Sequence, residues 1–180
     1  MFRCSMVVAG FIFTFCFSVT SLAAREIDLC GRGQLTEVFL KILNEENCDE
    51  IPLKKVSNVS HLYLSHKEIR EIPPRAFEGF VSVKYLDLSF NKLKTLPEGV
   101  FADMPKLEQI NLAVNDFTRV PQSALKGLKT LHKLNFLNND IEEISEGDFS
   151  DLRDLTHLNL ERNLIGKFSP HGKSFQGLSS

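Results

Sequence analysis

One spacing governs most of this chain. Val59, Val83, Leu107, Leu131 and Leu155 stand 24 residues apart, and each opens the run apolar-x-x-apolar-x-apolar-x-x-Asn-x-apolar, with Lys67 replacing Asn in the first copy. The second copy carries it in full as Val83, Leu86, Leu88, Asn91 and Leu93. The third continues with Ile110, Leu112, Asn115 and Phe117, the fourth with Leu134, Phe136, Asn139 and Ile141, and the fifth with Leu158, Leu160, Asn163 and Ile165. The second half of each unit repeats too: Ile72-Pro73 before Phe77, Leu96-Pro97 before Phe101, Val120-Pro121 before Leu125, and Ile144-Ser145 before Phe149. A period of this length marks a repeat architecture, in which no unit buries its own apolar side and stacked neighbours share one core.

The alternation at Leu86-Asp87-Leu88 predicts a short strand with both leucines inward and Asp87 outward. Stacking turns these strands into a parallel sheet on a concave face, while the Leu-Pro-x-x-x-Phe segments close the convex side without long helices. The Asn row has a separate task. Each coil turns sharply after its strand, and an inward Asn both donates to and accepts from backbone groups that the turn would strand. Asn115 is therefore expected to be structural, whereas Asn111, outward on its strand, is expected to carry no structural load.

From Val59 onward these motifs resemble the typical, 24-residue class of extracellular animal leucine-rich repeats, as in Toll-like and Slit-like receptors and lamprey-type variable lymphocyte receptors. The resemblance implies an α/β solenoid: a leucine-rich-repeat horseshoe with a parallel concave sheet, made for recognition and not for catalysis. It implies much less about the ligand.

The ends depart from the period. Arg3, an apolar run from Met6 to Phe17, and small residues at Ser21 and Ala23 read as a secretory signal cleaved after Ala23, with a retained signal anchor as the alternative. The expected organisation is a leader over 1–23, an N-terminal cap over 24–58 and five repeats over 59–180. Cys4 and Cys16 leave with the leader, so Cys30 and Cys48 are expected to pair in an oxidising compartment. Between them, Leu35, Val38, Phe39, Ile42 and Leu43 predict a helix over 34–45 that covers the open end of the core. The rival is a decayed repeat, since Leu35, Val38 and Leu40 precede Val59, Leu62 and Leu64 by 24 residues, but Leu43 would then occupy the Asn position. Cys48-Asp-Glu-Ile-Pro52 resembles the tail of the family's N-terminal flanking cap, although the four-cysteine pattern of that cap is missing. Lys67 stands in the Asn row of the outermost coil, where a Lys stem would cover apolar surface. At the far end, Phe168 to Phe175 spans seven residues where the other units have five, and no cysteine-rich cap precedes Ser180. Two explanations stand: a truncated product or fragment of a longer receptor, or a loop from Ser169 to Ser174 that folds over the end.

Chemistry is hard to find. The formal net charge of −2 gives no footprint for nucleic acid or an anionic membrane, and no stretch beyond the leader is apolar enough to span a bilayer. His61, His66, His132, His157 and His171 do not converge on a metal site, and phosphate loops, nucleophile elbows and paired carboxylates are missing. No catalysis and no cofactor are expected. Glu142, Glu143 and Glu146 read as a solvated convex face. Asn58-Val-Ser60 is a glycosylation sequon expected to be exposed.

The concave face remains. Its outward columns are His61, Tyr85, Gln109, Lys133 and His157; Tyr63, Asp87, Asn111, Asn135 and Asn159; Ser65, Ser89, Ala113, Leu137 and Glu161; His66, Phe90, Val114, Asn138 and Arg162; and Ser60, Lys84, Glu108, His132 and Thr156. Val114 and Leu137 place aliphatic groups where the fold needs none, beside Phe90, Tyr85 and Tyr63, as contact sites do. The candidate ligand-binding residues are Tyr63, Tyr85, Phe90, Val114, Lys133, Leu137, His157 and Arg162. Five strands of ~5 residues give a face ~19 Å by ~16 Å, small beside the ~800 Å² per partner of a standard interface. The expected function is extracellular recognition of a protein or peptide by a secreted chain. A matrix component and an inhibitor of a secreted enzyme fit the same features.

Overall fold

The structure, a computed structural model, describes residues 26–49, 51–168 and 175. The segment expected to be a leader, with Cys4 and Cys16, and the segment from Ser169 to Ser174 expected to fold over the end as one alternative, lie outside them. Strand β1 (Glu26–Ile27) pairs antiparallel with β2 (Ile51–Pro52), and helix α1 (Leu35–Leu43) lies between them in sequence. The helix forms because Leu35, Phe39 and Leu43 fall four apart on one face and are buried together. It stops at Asn44, which takes a left-handed φ of 55°, while the Glu45 N–H returns to the Leu40 carbonyl at 2.9 Å in a Schellman-type closure. The segment is thus a helix and not a decayed repeat.

From there the chain runs α2 (Leu53–Ser57), β3 (His61–Tyr63), β4 (Tyr85–Asp87), β5 (Gln109–Asn111), α3 (Gln122–Leu125), β6 (Lys133–Asn135), β7 (Glu143–Ile144), β8 (His157–Asn159) and β9 (Lys167–Phe168). Strands β3, β4, β5, β6 and β8 form one parallel sheet in that order, with His61, Tyr85, Gln109, Lys133 and His157 in register. The 24-residue period is this register. Beneath it, Leu62, Leu86, Ile110 and Leu134 form one buried row, and Leu64, Leu88, Leu112 and Phe136 a second. The last coil is less covered: Leu158, Leu160 and Ile165 are only partly buried.

The Asn row behaves as its spacing requires. Asn91 Nδ2 donates to the carbonyls of Leu64 and Leu88, both at 2.9 Å, and its Oδ1 accepts the N–H groups of Lys67 and Ile69. Asn115, Asn139 and Asn163 repeat the pattern, each serving its own coil and the one before. Lys67 is exposed, and its backbone N–H is already satisfied by Asn91.

The convex side carries α3, and a feature that the sequence did not suggest: β7 and β9 form a second, two-residue parallel ladder that pairs Ile144 with Phe168. Phe77 stacks on Phe101 with centroids 5.8 Å apart, and Phe149 on Phe175 at 6.1 Å. Phe175 therefore continues the Phe row in spite of the two-residue lengthening before it.

Cys30 and Cys48 are joined by a disulfide, with Cα atoms 4.9 Å apart, and the Leu29 N–H donates to the Cys48 carbonyl at 2.7 Å. Phe39 carries α1 onto the first repeat, with its ring 4.9 Å from Phe80 and 6.3 Å from Phe77.

Candidate interaction surface

The first column lies as expected, with His61, Lys133 and His157 exposed and Tyr85 and Gln109 half-buried. Lys133 and His157 are direct neighbours across β6 and β8. The second column does more than face solvent. Asp87 Oδ1 accepts the Ser89 N–H at 2.9 Å, and Asn111, Asn135 and Asn159 accept the N–H groups of Ala113, Leu137 and Glu161 in the same way. Each pair is an Asx turn, in which a side-chain oxygen bends the chain two residues on. Asn135 also donates to Asn111 Oδ1 at 3.0 Å. Asn111 is therefore outward yet structural, contrary to the expectation from its place on the strand.

The same turns correct two further expectations. The strands are three residues long, not five, because the turn ends the extended geometry on which alternation depends. In the third column, Ser89 and Ala113 are consequently buried and Leu137 is half-buried, so only part of that column faces outward.

The fourth column is the least anticipated. His66, Phe90, Val114, Asn138 and Arg162 all have φ between 53° and 57°, the left-handed region. Asn tolerates that conformation; a β-branched residue is a true outlier there. Neither Gly nor a consistent Asn marks the column, so the sequence carried no signal for it.

These placements bring several candidate residues together. Phe90 is 49% exposed and stacks on His66 with centroids 4.3 Å apart. The Phe90 N–H donates to the Ala113 carbonyl, and the Val114 N–H to the Leu137 carbonyl at 2.8 Å, so Phe90, Val114 and Leu137 come from three successive coils. Tyr63, 58% exposed, lies 5.6 Å from Tyr85 between ring centroids. Burial, and then the charge of Asp87, push the Tyr85 phenol above its usual range. Lys84 pairs with Glu108 at 2.9 Å, and its hydrogen bond holds that carboxylate below the usual range. Arg162 is exposed on the last coil, apart from the aromatic group.

A separate depression on the convex side lies among Gln122, Lys126, Asp148 and Asp151. It is bridged by Gln122 Nε2 to the Gly147 carbonyl (2.8 Å) and by the Gly127 N–H to Asp151 Oδ2 (2.9 Å), contacts that tie neighbouring coils. Among the described residues, no group of His, Cys, Asp and Glu side chains is placed to hold a metal ion, and no helix is long and apolar enough to cross a membrane. Asn58 is exposed at the end of α2.

Residues 57–117 and 112–165 match the family model described as leucine rich repeat. No curated protein matches the sequence. Among solved structures, the chain resembles one of the Toll–Spatzle complex of Drosophila, with 27% identity over 73% of this chain and a TM-score of 0.60. An internalin of Listeria monocytogenes is 18% identical over 82% of the chain with a TM-score of 0.63, and the leucine-rich repeat domain of APL1B is 23% identical over 82% with a TM-score of 0.54. The chain spans 16%, 46% and 38% of the lengths of those three chains. With the matched segments covering most of its length and its coils stacked in the register they imply, the chain belongs to the leucine-rich-repeat family.

Proposed function

We infer that the chain is an extracellular recognition module that binds a protein or peptide through its concave face. One observation carries this reading. Val114 is a β-branched residue at φ 55°, half-buried on the face and outside the core rows. The left-handed conformation costs ~1–2 kcal/mol for an ordinary L-residue, and nothing in the packing of the coils requires an aliphatic side chain there. The coil turn sets this φ at all five positions of the column, so what is particular to Val114 is a β-branched residue where the conformation disfavours one, and a contact made by its side chain would account for that choice. Phe90 and Leu137 flank it, and together they form the apolar centre that a desolvated contact needs.

The supporting lines are chemical. A disulfide in so small a domain, and a leader of secretory type over 1–23, fit an oxidising, extracellular setting. In that organisation, residues 24–58 cap the repeats of 59–180, and Asn58 carries a glycan. Toll, whose structure this chain resembles, is recorded in complex with Spatzle, and the fold commonly serves protein interaction. Strands of three residues make the flat part of the face ~19 Å by ~10 Å, so the contact is modest or is part of a larger one. Tyr63, Tyr85, Lys133, His157 and Arg162 would surround the apolar centre.

The test is capture of a saturable partner from extracellular material by the purified chain, repeated with Val114→Glu and Leu137→Glu. Loss of binding in both variants, with the fold retained, supports the reading. A partner that binds both as tightly as the parent chain removes it.

A further inference from the structure

The two ends of the concave face differ in chemistry. Over β3 and β4, the rings of His61, Tyr63 and Tyr85 lie 5.6 to 6.3 Å from one another between centroids. Asp87 is the register partner of Tyr63 on the adjacent strand. Its Oδ1 accepts the N–H and the hydroxyl of Ser89, at 2.9 and 2.6 Å, whereas Oδ2 accepts no hydrogen bond among the described residues. Asp87 also has no ion-pair partner among them, and Lys84, three residues before it in the chain, is engaged by Glu108.

The charge on Asp87 is not needed by the fold. The same turn is made by Asn111, Asn135 and Asn159 in the next three coils, each with a neutral amide oxygen. A carboxylate has been placed where an amide suffices, beside exposed Tyr63 and half-buried Tyr85, with no counter-charge of its own. Tyr85 differs from the next two positions of its column as well, where Gln109 and Lys133 stand.

We propose that Tyr63, Tyr85 and Asp87 form a subsite for a cationic side chain of the partner, with arginine preferred to lysine. A guanidinium lies flat on a tyrosine face, where the ring quadrupole attracts it, while the N–H groups at its edge donate to the open Oδ2 of Asp87. A compact ammonium satisfies one of these demands at a time. A tyrosine phenol is neutral at physiological pH, and burial and then Asp87 push that of Tyr85 further up, so the platform brings only one formal charge. The subsite deepens the concave-face reading and rests on it: the apolar centre at Val114 supplies contact area, and the N-terminal end selects for a basic residue.

The chain carries its own reporter for this subsite. It has two tyrosines and no tryptophan, and both tyrosines lie in the platform, so intrinsic fluorescence reads this site alone. The probe is N-acetyl-arginine amide, titrated into the intact chain beside the isosteric neutral N-acetyl-citrulline amide. The expected result is a saturable change in tyrosine emission with the arginine compound and at least a tenfold weaker response to citrulline. Asp87→Asn, which keeps the turn, should lower the arginine affinity to the citrulline level. Equal responses to the two amides, no saturable change with arginine, or unchanged affinity in Asp87→Asn would each overturn the subsite. No partner protein enters this measurement, so failure of the concave-face reading is seen separately, as partner binding that survives Val114→Glu.

Discussion

Arg32 Nη1 donates to the carbonyl of Ala76, 44 residues along the chain, at 2.5 Å. The same guanidinium reaches the carbonyls of Glu78 (3.3 Å) and Asp28 (3.1 Å), and the residue is buried. One side chain thus pins the disulfide-closed cap to the first repeat and satisfies three carbonyls. Truncation to Ala leaves the buried acceptors unpaired and should cost ~1–3 kcal/mol, measured as a shift of the denaturation midpoint. Arg32→Lys should recover only part of it, because an ammonium lacks the fork that spans separated acceptors. Stability unchanged in Arg32→Ala would show that the cap is held by Phe39 and its aromatic neighbours alone.

Asn115→Ala removes an amide that serves two coils and should destabilise by ~1–3 kcal/mol. Asn111→Ala loses an Asx turn and the bond from Asn135, both on the half-exposed face, so its cost should be smaller, ~0.5–1.5 kcal/mol, and not zero. Thermal unfolding of the two variants decides this. Equal losses would mean that the buried Asn row has no special weight.

These residues also show what was legible in the sequence. The core rows and the Asn row could be placed because a fixed period makes every coil repeat the same inward positions. The cap helix could be placed because Leu35, Phe39 and Leu43 leave one spacing that buries all three. Arg32 could not, since a buried arginine is recognisable only when its acceptors, far along the chain, are known. The Asx turns had a faint signal, Asp or Asn two residues before a small or apolar residue, which the in-out alternation obscured. The left-handed column had none: Phe90, Val114 and Arg162 are residues that the conformation disfavours.

Asp148 supplies the pH dependence. It is buried, its Oδ2 accepts the Ser145 N–H at 2.7 Å, and its pKa is raised, chiefly by desolvation. A carboxyl whose folded pKa exceeds its unfolded value binds protons more tightly in the native state, so its ionisation opposes folding at neutral pH and the penalty fades as pH falls through the folded pKa. Asp148→Asn keeps an acceptor for Ser145 and removes the charge. Its melting temperature should exceed that of the parent at about pH 7, with the gap closing at about pH 3. A gap that persists in acid would assign the gain to packing.

Asn58 stands exposed beside Ser60 in an intact sequon, at the end of α2 and away from the apolar centre of the face. Expression in a glycosylating secretory host should add mass that Asn58→Gln abolishes. An unmodified product recovered from the medium would refute occupancy, and a product retained in the cytosol would refute the secretory reading of the leader.

Val114 gives the sharpest test of the proposed contact, because stability and binding should move in opposite directions. Asn138 occupies the equivalent position one coil later, at the same φ of 55°, and Asn tolerates that conformation. Val114→Asn should therefore stabilise the chain by ~0.5–1 kcal/mol through relief of backbone strain, while weakening partner binding by removing the centre of the apolar patch. Val114→Glu and Leu137→Glu should abolish binding outright, and Glu142→Ala on the convex side should leave it unchanged. Denaturation midpoints and partner affinity, measured on the same preparations, separate the possibilities. If Val114→Asn is less stable than the parent, the strain is not there and the argument from it fails. If it is more stable and binds equally well, the strain serves no contact, and the concave centre is not the binding site.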